Sequence, residues 1–289
     1  MSFDYKLTKL FEESVNGYRE LSEEELRSKV ESEASNFNAQ QKIYHFIPKE
    51  KIPSSDILYL EYNPNEARDD EPMLYHELIM DNLKSWAEYP KRENAIVGYT
   101  DKKHTTISGV PFVVIPVNDT PLAICSKLHL IDSFSYVSIN LGIKFEDFDR
   151  TINILLNIFN NPEGTYDPET KKLTLTDETA YNESYSTFYN AMKVVDKQFH
   201  ESYDLLDEIE NHPHNKETED NVISVIEYLR AKKTNLSNTF KKLFDPTENA
   251  FKKIQFEEFV VGENKDRETW INSPCFLVKE TELIKIVGD

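Results

Sequence analysis

Apolar positions along the chain follow two periods. Short β-branched runs closed by turn residues dominate its first half and return near its end. Stretches repeating at about 3.6 residues lie between them. Three runs crowd into the stretch from Asn94 to Ile124 and its flank: Ala95–Tyr99, Pro111–Ile115 and Leu122–Cys125. They stop at Thr100-Asp101, Ser108-Gly109 and Asn118-Asp119-Thr120-Pro121. Runs of this length with these stops predict buried strands. Lys42–Ile47, closed by Pro48, and Ile57–Tyr62 predict two strands upstream. Ile254–Val261, Cys275–Val278 and Leu283–Val287 predict three downstream. Phe134–Ile143 is ambiguous and could add a strand.

The helical period appears first at Phe3, Leu7, Leu10, Phe11 and Val15, after Ser2 and before Gly17. Ser22 with Glu25 makes a capping box, opening a polar helix whose large apolar residues are Leu26 and Val30. Leu74, Leu78, Ile79, Leu83 and Trp86 predict a helix stopped by Tyr89-Pro90. Phe145, Phe148, Ile152, Leu155, Leu156 and Phe159 predict an amphipathic one stopped by Asn160-Asn161-Pro162. After a turn-rich stretch with a small hairpin around Leu173 and Leu175, Tyr185 to Ile209 and Val222 to Leu243 trace two long helices. The loop Asn211–Asn215 between them predicts an antiparallel helical hairpin.

The expected fold is therefore α+β: a mixed β-sheet core with flanking helices, and the hairpin between its N- and C-terminal parts. The expected divisions are N-terminal helices at 1–38, a β-rich core at 39–144 plus 251–289, and a helical subdomain at 145–250.

Composition narrows the function. In 289 residues, 39% hydrophobic and 12% aromatic content argue for a packed globule. The 52 acidic residues outnumber 33 basic ones for a net charge of −19, which disfavours binding to phosphate backbones. Richness in Asn, Lys, Ile and Glu suits an AT-rich genome, as many bacteriophages have. Only Cys125 and Cys275 are present, with no CxxC pair, which excludes a disulfide scaffold and zinc ribbons. No secretion signal and no run of the ~20 apolar residues a membrane span needs can be seen, so a cytoplasmic protein is expected.

The seven glycines form no phosphate cradle or nucleophile elbow, which excludes P-loop, Rossmann and elbow-type hydrolase chemistry. His76-Glu77 opens like a zincin helix, but Met80 stands where a second His is required. His212-Pro213-His214 beside Glu210, Glu217 and Glu219 has the ligand types for a divalent ion, yet its simpler reading is a polar loop, and no metal is expected. Cys125, His129 and Asp132 have the residue types of a thiol catalyst, though a core cysteine is the simpler reading. Lys102-Lys103-His104 reads as a solvated cluster.

His45 on an early strand, Thr100 at the end of a second and Glu268 late in the chain fall in an order that resembles mono-ADP-ribosyltransferases. That resemblance implies NAD as cofactor, with His45 and Thr100 positioning it. Glu268 would stabilise an oxocarbenium-like transition state and orient the acceptor. The family's Ser-Thr-Ser run is Gly98-Tyr99-Thr100 here, and Asp266 stands two residues before Glu268 where the family has Glu or Gln. Without a complete catalytic motif, the leading expectation is a protein-binding or assembly role. It calls for a protein partner or self-association, no cofactor, no nucleic acid and no membrane.

Overall fold

The computed structural model describes residues 18–52, 54–61, 74–103, 109–160, 166–167, 172–173, 185–198 and 216–287. In chain order they form β1 (Tyr18–Glu20), α1 (Glu23–Glu33), β2 (Tyr44–Ile47), β3 (Ile57–Leu60), α2 (Tyr75–Asn82) and β4 (Ile96–Tyr99). Next come β5 (Val110–Pro116), β6 (Pro121–Ile124), α3 (Leu130–Ser133), α4 (Ser135–Leu141) and α5 (Phe148–Asn160). The small pair β7 (Tyr166–Asp167) and β8 (Lys172–Leu173) precedes α6 (Tyr185–Gln198), α7 (Lys216–Lys232) and α8 (Leu236–Leu243). The chain ends with β9 (Lys252–Gln255), β10 (Glu268–Ile271), β11 (Cys275–Val278) and α9 (Glu280–Val287). It divides into two compact units, one within residues 1–69, 88–133 and 250–289, the other within 70–87 and 134–249.

The first unit is built on a nine-stranded sheet in the order β1-β3-β11-β5-β2-β4-β10-β6-β9. Strands from both ends of the chain share it: β11 enters between β3 and β5, and β10 between β4 and β6. Every pairing is antiparallel, so the expected mixed sheet is corrected. The late strands run against both of their neighbours, and no two adjacent strands need the covered crossover that parallel pairing requires.

Away from the exposed edge strands β1 and β9, both faces of the sheet are buried, which is why the central strands read as continuous apolar runs rather than alternating ones. Ile43, Ile47, Leu60, Phe112, Val114 and Leu277 line one face, with Phe256 and Phe259 from the turn after β9 in the same cluster. Phe46, Val113, Ile115, Phe276 and Val278 line the other, with Leu26 of α1 and Leu283 of α9. α1 begins at the expected capping box: Ser22 Oγ accepts from Glu25 N at 3.2 Å, and Glu25 Oε2 accepts from Ser22 N at 2.8 Å.

Two segments depart from the strand expectation, and the ambiguous Phe134–Ile143 does not add a strand. Leu283–Val287 lies in α9, because the Lys279-Glu280-Thr281-Glu282 stretch before it starts a helical turn, in which Leu283 N donates to Lys279 O. Ile254–Val261 leaves the sheet at Gln255, where Glu258 caps a 3-10 turn at Phe256–Glu258. Phe134–Ile143 is largely α4, ended by Gly142 at φ 70°, a conformation glycine adopts without strain.

The second unit is helical. α5 packs against α2, α6 and α7, and α6 also packs against α8. Its core is an aromatic stack, with ring centroids 4.9 Å apart for Phe134 and Phe145, 5.0 Å for Phe148 and Phe244, and 5.6 Å for Phe148 and Phe240. Trp86 Nε1 donates to Phe244 O at 2.7 Å. The second of the two expected long helices is broken: Lys233 adopts φ 50°, and α8 restarts after Asn235. Asp196 of α6 accepts from Leu236 N at 2.7 Å and from Ser237 Oγ at 2.7 Å, tying α8 to α6. The expected hairpin gains no support, since its loop Asn211–Asn215 and the segment before it lie outside the described residues. The helix expected at Phe3–Val15 also lies outside them. Among the described residues, no helix is long and apolar enough to cross a membrane.

Candidate functional site

Strands β2, β4 and β10 lie side by side, with His45 on β2, Glu268 on β10 and Thr100 just past the end of β4. Register decides which of them share a face. Tyr44 pairs with Tyr99, and Tyr99 pairs with Glu268. Directly opposed residues of antiparallel strands point to the same face, and neighbours along a strand point to opposite ones. Glu268 therefore shares its face with Tyr44 and Tyr99, while His45 lies on the other. The ribosyltransferase resemblance would need His45 and Glu268 on one face, and they are not. The reason is parity: each sits one residue out of step with the other across β4.

Glu268 is 1% exposed. Its Oε1 accepts from Arg92 Nε at 2.9 Å and from Trp270 Nε1 at 2.7 Å. Its Oε2 accepts from Leu130 N at 3.2 Å, at the start of α3. Trp270 reaches the carboxylate because residues two apart on a strand share a face. Cys125 lies alongside, its backbone N donating to Glu268 O at 2.8 Å. Burial pushes the Cys125 thiol well above its ordinary range, and the Glu268 charge adds to this. The Tyr99 phenol is raised for the same two reasons in the same order. A thiol so disfavoured as thiolate is a poor nucleophile. The Cys125–His129–Asp132 reading gains nothing here.

His45, 8% exposed, uses both ring nitrogens. Nδ1–H donates to Val97 O at 2.9 Å, and Tyr18 O–H lies 3.4 Å from Nε2. Burial lowers the imidazole pKa, partly countered by the Val97 carbonyl. Burial likewise raises the Tyr18 phenol to about 12, so it stays a protonated donor. Thr100 Oγ1 accepts from Arg267 N at 2.9 Å, and Thr100 N donates to Arg267 O at 3.0 Å. This hydroxyl fixes the loop entering β10.

In the helical unit, His76 Nδ1–H donates to Asp149 Oδ2 at 2.7 Å, and the His76 backbone N donates to Asp149 Oδ1 at 2.9 Å. Glu77 Oε2 accepts from Leu74 N at 3.3 Å, which makes it a helix cap. Tyr75 O–H donates to Asn153 Oδ1 at 2.9 Å. Among the described residues, no group of three His, Cys, Asp or Glu side chains could hold a metal ion. His212 and His214 lie outside them.

The sequence reading missed Arg92, Trp270 and Tyr99 around Glu268. The step of two between Glu268 and Trp270 is visible once Glu268–Ile271 is taken as a strand. Nothing in the sequence marks Arg92, whose distance from Glu268 is closed only by the fold. No protein-family model, curated protein or solved structure matches this chain.

Proposed function

We propose that the chain is a binding or assembly protein rather than a catalyst. The observation that carries this reading is the state of Glu268. A catalytic carboxylate needs room for a substrate beside it, and this one spends both oxygens on Arg92, Trp270 and the Leu130 N–H at 1% exposure. His45 and Thr100 are engaged in the same structural manner. The net charge of −19 suits contact with a basic surface on a protein partner.

Light scattering behind size exclusion, together with affinity capture of the intact chain, tests the reading. A stable multimer or a stoichiometric, salt-sensitive partner is expected. A strictly monomeric protein that retains no partner would overturn it. The ribosyltransferase alternative has weaker support, because His45 and Glu268 lie on opposite sheet faces. Millimolar NAD is expected to leave the thermal midpoint unchanged, and a clear upward shift would restore that alternative.

A further inference from the structure

In a chain of net charge −19, one end of the sheet is basic. Antiparallel order brings the start of β2, the end of β4, the end of β6 and the start of β10 to the same rim. These ends carry Lys42, Lys102 and Lys103, Lys127, and Lys265 with Arg267. At ~4.8 Å between strands, the four ends span roughly 14 Å. The carboxylates here are Asp101, Asp266, Glu280 and the buried Glu268, whose Oε1 is taken by Arg92. Glu280 is held by Lys42 Nζ at 2.7 Å and by Lys102, and so neutralises part of that side. Lys103, Lys127 and Lys265 are exposed.

The rim is held in shape by backbone ties. Lys103 N donates to Asp101 Oδ1 at 2.8 Å, Thr100 N to Arg267 O at 3.0 Å, and Glu268 N to Lys127 O at 3.2 Å. A preorganised positive strip loses less side-chain and loop entropy on docking than a mobile one.

We propose that this basic rim binds the acidic surface of a second copy of the chain in a head-to-tail contact. The inference deepens the assembly reading and rests on it. Charge complementarity carries it: with the rim set aside, the remainder of the chain is more negative than −19, and a contact between unlike surfaces is heterologous. At physiological salt the screening length is about 8 Å, so local complementarity outweighs repulsion between the two net charges.

The test is sedimentation velocity of the intact protein over a concentration series, at about 0.15 M salt and at about 0.5 M, where the screening length is shorter. The double variant Lys103→Glu, Lys265→Glu is run beside it. Both side chains are exposed, so the variant should keep its circular dichroism and thermal midpoint. Concentration-dependent association at the lower salt is expected, lost at the higher and weakened about tenfold or more in the variant, which is roughly 1.4 kcal/mol. A variant that associates as the wild type does would overturn the rim while leaving assembly intact. A wild type that never associates overturns the rim, and with no captured partner it overturns the assembly reading too. A wild type that instead shifts an oligonucleotide, with the variant failing to, would reassign the rim to phosphate and also overturn the inference.

Discussion

A buried carboxylate with three donors around it behaves differently from an exposed one when it is removed. Glu268→Ala leaves the Arg92 guanidinium and the Trp270 indole N–H facing a void. Removing one member of a buried ion pair costs about 3–5 kcal/mol. Chemical denaturation should show a loss of that size. An unchanged midpoint would mean that Glu268 is tolerated rather than required, and would weaken the structural reading of the site. Thr269, on the opposite face of β10, shows the reverse case. It is fully buried, and its Oγ1 makes no hydrogen bond. Thr269→Val keeps the shape and removes a polar atom that gains nothing inside, so a stabilisation of about 1 kcal/mol is expected. Gly98 lies opposite Thr269 in register. A Cβ there would stand 2.4 Å from Ile43 Cγ2 and 3.0 Å from Thr269 Oγ1. Gly98→Ala should therefore destabilise by about 1–3 kcal/mol through overpacking.

At the scale of elements, the break between α7 and α8 is the sharpest local feature. Lys233 adopts φ 50°, left-handed backbone that costs a side-chain-bearing residue of order 1 kcal/mol. Lys233→Gly should stabilise by about 0.5–1 kcal/mol if that strain outweighs the added freedom of the unfolded chain. A loss measured by thermal or urea unfolding would show that the entropy term wins. The same junction explains one limit of the sequence reading. Val222 to Leu243 keeps a helical period across the break, so periodicity alone runs the two helices together. What divides them is the left-handed backbone at Lys233, which leaves no mark in the pattern, and a cap at Asn235, whose side chain accepts from Asn238 N and which Asp196 of α6 reinforces by accepting from Leu236 N. Strands were legible where runs were bounded by proline or Asn-Asp turns, as at β5 and β6. They were illegible where tertiary partners decide. Leu283–Val287 is as β-branched as a strand, yet it folds as α9. β10 was lost because Glu268 and Thr269 interrupt its apolar character, and they can be buried only because Arg92 and Gly98 lie beside them. The candidate site was half legible for the same reason: residue types show in sequence, but the sheet face each occupies depends on a register that the sequence does not display.

Two opposing effects govern how the whole molecule responds to acid, and salt separates them. Lowering the pH from neutrality toward the isoelectric point near 4.8 reduces the net charge of −19 and relieves self-repulsion, which raises stability. His45 acts the other way. Its imidazole is buried neutral and its pKa lies below the ordinary 6.5, with burial the main cause. Below pH 6.5 the unfolded chain takes up a proton that the folded chain resists. Stability from this group is therefore complete above 6.5, falls as pH drops below it, and levels off once the folded-state pKa is passed. Each unit of separation between the two pKa values is worth about 1.4 kcal/mol. Repulsion among surface charges is screened by salt, while the desolvation of a buried imidazole is not. At low ionic strength the two trends should largely offset one another between pH 7 and pH 5. At high ionic strength the His45 contribution should stand alone, and the thermal midpoint should fall on acidification. His45→Gln, measured in the same buffers, isolates the group. The gap between wild type and variant should shrink as the pH drops below 6.5, at either salt concentration. A gap independent of pH would mean that His45 titrates in the folded chain as it does in the unfolded one, and that the face of the sheet carrying it is open to water.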